Sequence, residues 1–368
     1  MMLHLGQILY ERNSNEKLYP ASITKVLTAI VAVENCSLDE RVTISQSAID
    51  SVEEGYVTSN LKVGEELTVE ELLNILLVSS ANDVAIVLAE HISGSVENFA
   101  VLMNETASKI GCTNSNFVNP NGVHDDNHYS TAKDLALIGK YSLKFDSLKE
   151  MFTKTSYTLN DGRTFLTTNE LITSGSKNYY QYATGMKTGF TTPAGNCLLA
   201  YASKDNLELI SVVLKSSTSD NRYLETKMIF DYGFQNYSLI QFAVKGVSVQ
   251  TVYVKGATSK TKKLDLVLDK DIFIATENDL DQSSIKQNIK INNKIKAPIK
   301  SGEKLGTLSY SLNGITYSAN LIAANDVNAS HIVLKFIIIF IVLFLLLIIY
   351  KLRISNLKKK RIKMMKRF

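Results

Sequence analysis

From Val26 to Val33 the chain reads Val-Leu-Thr-Ala-Ile-Val-Ala-Val. A helix of this composition is apolar on nearly every face, so it must be buried all round rather than laid on a surface. The fold therefore has to wrap it, and 368 residues are enough for two domains and a sizeable core. The head of this helix is Tyr19-Pro20-Ala21-Ser22-Ile23-Thr24-Lys25. Pro20 suits a first helical turn, where its missing N–H is not needed. Ser22 and Lys25, three residues apart, share one face of that turn. A lysine at the head of a buried helix loses affinity for its proton, because desolvation disfavours the charged form. A neutral lysine beside a serine hydroxyl can serve as its base, and backbone N–H groups at the helix start can stabilise an oxyanion. The spacing alone is weak evidence, since Ser-x-x-Lys recurs from Ser14, Ser174, Ser259, Ser283, Ser301 and Ser355. None of those opens a long apolar helix.

Charge is unevenly spread. Residues 351–368 carry nine Lys or Arg and no acid, so the +4 of the whole chain becomes −5 once they are set aside. A mildly acidic body argues against nucleic acid as a partner. Just upstream, Phe336 to Tyr350 is an unbroken apolar run, extended past Lys335 to Ile332. Residues 332–350 are expected to cross a membrane once, with Lys335 snorkelling to the near interface. The basic segment 351–368 should stay cytoplasmic, leaving the bulk of the chain outside. An outward-facing domain needs an export signal, and Met1-Met2-Leu3-His4-Leu5-Gly6 has neither a basic start nor a sufficient apolar core, so a start upstream of Met1 is expected. Cys36, Cys112 and Cys197 are odd in number and widely spaced, which suits neither a disulfide framework nor a metal site.

Along the chain, Gln7 to Tyr10 has strand character. Thr68 and Glu71 are spaced as a capping box, with Leu72, Leu73, Leu76 and Leu77 continuing one helical face. Val84–His91 and Val96–Ile110 read as helices, the second stopped by Gly111. Asn119-Pro120-Asn121-Gly122 is a turn, and Thr131–Tyr141 returns to helix. Thr184–Phe190, Asn196–Ala202 and Leu207–Lys215 read as strands, and Arg222–Tyr232 as a helix. Helices flanked by strands predict one α/β or α+β domain over residues 1–242. Residues 243–327 change to period-2 patterning, with Asn313-Gly314 between two alternating runs as a hairpin signal, and predict a small all-β sandwich.

Two further segments carry chemistry. Ser79-Ser80-Ala81-Asn82 lies between apolar helices, where Ser80 offers a second hydroxyl to relay a proton and Asn82 an amide to hold a substrate carbonyl. Ser219-Asp220-Asn221 and Ser311-Leu312-Asn313 match similar short patterns, and read as a polar loop and a hairpin edge. Gly185-Met186-Lys187-Thr188-Gly189-Phe190 occurs once. On a strand, Gly189 leaves one side open for an extended peptide to add as a further strand. Lys187 or Thr188 can then hold a terminal carboxylate, and the Phe190 N–H can join that of Ser22 as an oxyanion hole. His124-Asp125-Asp126-Asn127-His128 lacks the helix and the Glu of a zinc-protease motif and reads as a structural loop.

Taken in order, Ser22-Ile-Thr-Lys25, Ser80-Ala-Asn82 and Lys187-Thr-Gly189 resemble the active-site set of penicillin-recognising serine enzymes. The flanking text is similar to the serine-type D-alanyl-D-alanine carboxypeptidases, the low-molecular-weight penicillin-binding proteins. It includes Leu9-Tyr10-Glu11, Gly64-Glu65-Glu66-Leu67-Thr68-Val69-Glu70, Phe117-Val118-Asn119-Pro120-Asn121-Gly122 and His128-Tyr129-Ser130-Thr131-Ala132. Ala297-Pro298-Ile299 and Leu321-Ile322-Ala323-Ala324 extend the likeness into the β domain. The resemblance implies a transpeptidase/β-lactamase-like domain, then a β-sandwich and a transmembrane helix. It implies an acyl-enzyme on Ser22, Lys25 as its base, Ser80 as proton shuttle and Asn82 as a substrate-orienting group. Lys187 and Thr188 would hold the terminal carboxylate, with Gly189 and Phe190 lining the substrate strand. The implied partners are peptidoglycan stem peptides, with β-lactams as inhibitors, and neither cofactor nor metal is implied.

Two departures stand out: Ala81 replaces the family's usual Gly, and the strand that the family places before Leu9-Tyr10 is expected to be missing. A β-lactamase or a D,D-endopeptidase would use the same residues, although a β-lactamase needs a further carboxylate for deacylation and Asp125 and Asp126 follow the carboxypeptidase pattern. An inactive wall-binding or β-lactam-sensing protein is the alternative of another class.

Overall fold

The computed structural model describes residues 1–4, 7–330 and 332–365. The chain divides into two units, Met1–Leu239 with Ala275–Asp279, and Ile240–Ile274 with Leu280–Phe368. The first unit begins with β1 (Met2–His4), β2 (Gln7–Tyr10), α1 (Thr24–Asn35), β3 (Arg41–Thr43), α2 (Gln46–Asp50) and β4 (Glu66–Thr68). Four helices follow, α3 (Val69–Val78), α4 (Asn82–Ser93), α5 (Val96–Ile110) and α6 (Ala132–Ser142), then α7 (Asp146–Thr153). The hairpin β5 (Ser156–Thr158) and β6 (Thr164–Leu166) leads to β7 (Ala183–Thr191), β8 (Gly195–Lys204), β9 (Leu207–Ser216) and α8 (Ser219–Asn236).

An antiparallel sheet in the order β2-β1-β9-β8-β7 forms the middle layer. Successive residues of β8 serve opposite cores. Cys197 and Leu199 join the core around α1, whereas Leu198, Ala200 and Ala202 pack with Tyr223 and Phe230 of α8. Burial on both faces explains why this strand reads as a nearly continuous apolar run rather than an alternating one. α1 is wrapped as its composition requires: Val26, Leu27 and Ala29 to Ala32 are fully buried, against α3, α4, α5 and α6. Each such Val, Leu or Ile contributes about 1.5–3 kcal/mol on leaving water.

Three expectations need correction. The strand before Leu9-Tyr10 is present: Met2–His4 pairs antiparallel with β2, and Leu3 stands opposite Ile210 of β9. A strand of three residues is too short to show a period, and its place is set by pairing on both sides. Pro20 is not in the first turn of the α-helix. It caps a 3-10 turn, Ala21–Ile23, and the α-helix begins at Thr24. Ser219-Asp220-Asn221 is not a loop but the first turn of α8, capped by the Thr218 hydroxyl accepting from the Asn221 N–H. Elsewhere the reading holds closely; Val96–Ile110 is α5, ended by Gly111 at φ +101°, and Thr68 and Glu71 complete their capping box on α3.

After β10 (Tyr237–Ala243), the second unit is built of strands as far as residue 323, with one long helix after them. Its strands are β11 (Ser248–Tyr253), β12 (Lys263–Leu268), β13 (Ile272–Glu277), β14 (Lys286–Ile291), β15 (Lys304–Leu312) and β16 (Ile315–Ala323). Five of them make an antiparallel sheet, β11-β12-β16-β15-β14. Ile272 and Ile274 of β13 pack into the same core as Leu264, Leu266, Leu308 and Leu321, which gives the unit its second layer. Asn313 and Gly314, at φ +50° and +79°, make the tight β15–β16 turn. Positive φ at both positions matches the right-handed twist of the strands. α9 (Ile332–Met365) contains a stretch, Phe336–Lys363, that is long and apolar enough to cross a membrane, with none of its most apolar window buried. The expected interfacial placement of Lys335 concerns a side chain outside the described residues.

Candidate active site

The turn at Ala21–Ile23 delivers Ser22 to the head of α1, and Lys25 follows one turn later. Lys25 is fully buried. Its Nζ lies 2.8 Å from Ser22 Oγ, 2.9 Å from Asn82 Oδ1 and 2.8 Å from the Asn121 carbonyl oxygen. Asn82 Oδ1 and the Asn121 carbonyl can only accept, so a neutral amine gives them its two hydrogens. Its lone pair is then left for the Ser22 hydroxyl proton. Burial, reinforced by the positive charge of Lys187 and only partly opposed by Asp83, holds the Lys25 amine far below its usual basicity.

Asn82 opens α4, and its orientation is fixed from the other side. Both its backbone N–H and its Nδ2 donate to the Val57 carbonyl, at 2.9 and 3.0 Å. One Nδ2 hydrogen remains to meet a ligand. Asp83 beside it is buried and saturated, accepting from the Ser59 N–H and hydroxyl and from the Val84 N–H. Ser80 sits in the connection from α3 to α4, buried, with φ +66°.

Lys187 and Thr188 lie on β7, which is the edge of the sheet. Both are buried. Thr188 Oγ1 is 2.7 Å from Thr168 Oγ1, and Lys187 Nζ donates to the Thr188 carbonyl at 3.2 Å. Burial first, then the Arg222 guanidinium, pulls the Lys187 ammonium down to about 7. Arg222 Nη1 donates to the Gly189 carbonyl at 3.3 Å and Nη2 to the Tyr223 hydroxyl at 3.2 Å, and Tyr223 in turn donates to the Thr168 carbonyl. Gly189 is where the third segment meets the first. A Cβ there would stand 2.9 Å from the Pro20 carbonyl oxygen and 3.2 Å from the Ser22 nitrogen. Only glycine lets β7 run this close to the serine turn. Phe190, next along, is 60% exposed.

Of the residues expected in the site, Ser22, Lys25 and Asn82 are joined by direct contact, Gly189 touches the Ser22 turn, and Lys187 acts on Lys25 through charge. Sequence reasoning missed four contributors. Asn121 was visible only as part of a turn, and Thr168, Arg222 and Tyr223 carry no local signal. Gly122 also does more than turn the chain: its φ is +80° and an added Cβ would fall 1.9 Å from the Ala21 carbonyl oxygen. The His124–His128 segment is indeed a loop brace. His128 accepts from the Val118 N–H at Nδ1 and meets Thr24 Oγ1 at Nε2, and burial lowers its pKa to about 4. Asp220 of the similar-looking Ser219 segment is paired with Lys177 at 2.6 Å, and Asn221 Nδ2 donates to Ser217.

A buried amine on a serine, a second hydroxyl in a strained turn and a lysine on the strand edge are groups that can in principle carry acyl transfer. The chain has known relatives. The D-alanyl-D-alanine carboxypeptidase family profile matches residues 1–218, and that of the penicillin-binding protein 5 C-terminal domain matches residues 237–329. The D-alanyl-D-alanine carboxypeptidase DacF of Bacillus subtilis is 34% identical over 331 residues, covering 87% of this chain and 82% of the relative. DacA of Haemophilus influenzae is 33% identical, covering 89% and 84%. Among solved structures, penicillin binding protein 5 from H. influenzae superimposes with a TM-score of 0.71 at 30% identity, covering 89% of this chain and 96% of that one. A peptidoglycan synthesis regulatory factor from Streptococcus pneumoniae gives 0.77 at 27% identity, covering 89% and 98%. By sequence and by fold, the chain belongs to the D-alanyl-D-alanine carboxypeptidase family of serine peptidases.

Proposed function

We propose that this carboxypeptidase removes the terminal D-alanine from peptidoglycan stem peptides through an acyl-enzyme on Ser22, and that penicillin acylates the same oxygen. The observation that carries the reading is the fully buried Lys25 amine 2.8 Å from Ser22 Oγ, with its other two contacts to acceptors only. Neutral Lys25 takes the hydroxyl proton as Ser22 Oγ attacks the penultimate carbonyl carbon. The resulting oxyanion is met by the N–H groups of Ser22 and Phe190. The C–N bond then breaks, the departing amine takes a proton relayed by Ser80, and D-alanine leaves. Water returns along the same route to release the shortened stem. Lys187 and Thr188 hold the terminal carboxylate or that of a β-lactam, Arg222 adds positive potential behind Gly189, and Asn82 orients the peptide with its spare amide hydrogen. The substrate backbone adds to the free edge of β7.

A β-lactamase would need a carboxylate poised to activate the deacylating water. Asp83, the buried acid whose charge acts on Lys25, spends its oxygens on Ser59 and Val84, so carboxypeptidase is the better reading. In this proposal residues 1–242 form the catalytic domain and residues 243–327 the β-sandwich. Residues 332–350 cross the cell membrane with the basic segment 351–368 inside, placing the catalytic domain outside. Labelling with a fluorescent penicillin tests the nucleophile: the label should form on the wild-type chain and vanish in Ser22→Ala, and D-alanine release from a pentapeptide should vanish with it. Labelling that survives in Ser22→Ala overturns the assignment. Labelling without D-alanine release points to the β-lactam-sensing alternative.

A further inference from the structure

At the opposite end of α1 from Ser22, three side chains of metal-ligating type converge from distant parts of the chain. Cys36 caps the C-terminus of α1, Glu40 lies in the loop before β3, and His91 is in the last turn of α4. The Cys36 Sγ, a Glu40 carboxylate oxygen and a His91 ring nitrogen all lie within 4.8 Å of one another. His91 Nε2 and Glu40 Oε1 are already 2.8 Å apart. We propose that Cys36, Glu40 and His91 bind a divalent ion of zinc type, which clips the C-terminal ends of α1 and α4 together.

The donor set suits such an ion: one thiolate, one imidazole and one carboxylate, the mixture that zinc accepts, with a fourth position open to water. Bonds of about 2.0–2.3 Å around a tetrahedral ion place its ligand atoms roughly 3.4–3.7 Å apart, so the His91–Glu40 pair must open from 2.8 Å and Cys36 Sγ, within 4.8 Å of both, must move in by about 1 Å at most, both within reach of side-chain rotation. The charges balance as well. Binding releases the thiol proton to solvent, and one thiolate and one carboxylate neutralise the dication. The backbone at each ligand is already fixed. The Cys36 N–H donates to the Ala32 carbonyl, the Glu40 carbonyl accepts from the Val69 N–H, and the Gly94 N–H closes the turn behind His91 on Glu90. All three ligands retain an approach from solvent, since none is buried. The spacing of the three cysteines speaks against a metal site, but Cys36 meets His91, 55 residues on, only in the fold.

The ion would stand about 16 Å along α1 from Lys25, at 1.5 Å per residue, so its role is structural rather than chemical. The test uses the full chain, stripped with chelator, kept reduced and titrated with Co2+ as a spectroscopic stand-in. A cobalt–thiolate charge-transfer band should appear in the wild type and in Cys112→Ser and be lost in Cys36→Ser. His91→Gln should weaken Co2+ binding by about tenfold or more. Zn2+ should abolish the band by displacement and raise the melting temperature of the wild type and of Cys112→Ser but not of Cys36→Ser, while the rate of penicillin acylation stays unchanged. Absence of the band in the wild type, or its survival in Cys36→Ser, overturns the site. If Cys36→Ser fails to fold, an unchanged Co2+ affinity in His91→Gln overturns it equally.

Discussion

At the scale of single residues the site is a contest between two lysines. In the proposed mechanism Lys25 works only when neutral and Lys187 holds a carboxylate only when charged, yet burial disfavours charge on both. For Lys25 the lowered pKa means activity is present above that value and lost as pH falls through it. For Lys187 the sign is reversed: carboxylate binding is present below about 7 in the free enzyme and lost as pH rises through it. A bound carboxylate raises the Lys187 pKa. Stopped-flow and steady-state rates should therefore give a kcat/KM for D-alanine release that falls on the alkaline side near 7, and a kcat that falls only at higher pH. Arginine does not titrate in this range, so Lys187→Arg should lose the alkaline limb; an unchanged limb would remove Lys187 from the carboxylate role. Backbone strain gathers at the same places. Ala21, Ser80 and Met186, each beside or within one of the three segments, have φ of +48°, +66° and +86°. Left-handed non-glycine residues cost about 1–2 kcal/mol each and persist where surrounding structure over-determines them. Gly122 and Gly64 separate strain from space. Both have positive φ, but an added Cβ meets the Ala21 carbonyl oxygen at Gly122 and open space at Gly64. Gly64→Ala should cost about 1 kcal/mol by denaturant unfolding, and Gly122→Ala about 3 kcal/mol or more together with most of the acylation rate. Equal costs would show that the contact under Ala21 is unimportant.

At the scale of elements, the ends of helices do most of the positioning. α1 presents Ser22 and Lys25 at its head, α4 presents Asn82 at its head, and the edge strand β7 presents Lys187 and Thr188. Much of this was legible. The apolar run after Lys25, the capping box at Thr68, Gly111 as a helix stop and the Asn313-Gly314 hairpin are local signals, and local physics decides them. Three things were not legible for a common reason. β1 is too short to show a period and is held by β2 and β9; Ser219 to Asn221 are polar and read as loop, although Thr218 caps them into α8; and Thr168, Arg222 and Tyr223 reach the site only through tertiary contacts. The capping box offers a clean test of local against global control. The Thr68 hydroxyl accepts from the Glu71 N–H, and the Glu71 carboxylate accepts from the Thr68 N–H. Thr68→Ala should lower stability by about 1 kcal/mol and leave penicillin acylation unchanged, because α3 is also held by its buried face. A lost acylation rate would mean that the start of α3 communicates with the Ser80 turn at its other end.

For the whole molecule, the decisive feature is α9, whose apolar residues from Phe336 to Tyr350 are exposed along the helix. An exposed apolar surface of that length far exceeds the few hundred Å2 that soluble proteins show, and a bilayer is the solvent that removes it from water. The basic residues beyond Tyr350 add attraction to an anionic leaflet and bias orientation toward the side that holds them. Ending the chain at Ser330 therefore has a definite expectation. The shortened protein should stay in the aqueous phase in the presence of lipid vesicles, whereas the full chain should float with them. Its acylation rate by penicillin should remain within about twofold, since Ser22, Lys25, Ser80, Asn82, Lys187 and Thr188 all belong to the first unit and α9 belongs to the second. A full chain that stays soluble and monomeric without lipid or detergent would overturn the membrane reading of α9. A shortened chain that floats equally well would instead place the lipid contact elsewhere in the molecule. In vesicles that take up the full chain in a single orientation, an external protease should cut the β-sandwich while sparing the basic segment, which follows only if residues 351–368 lie on the inner side.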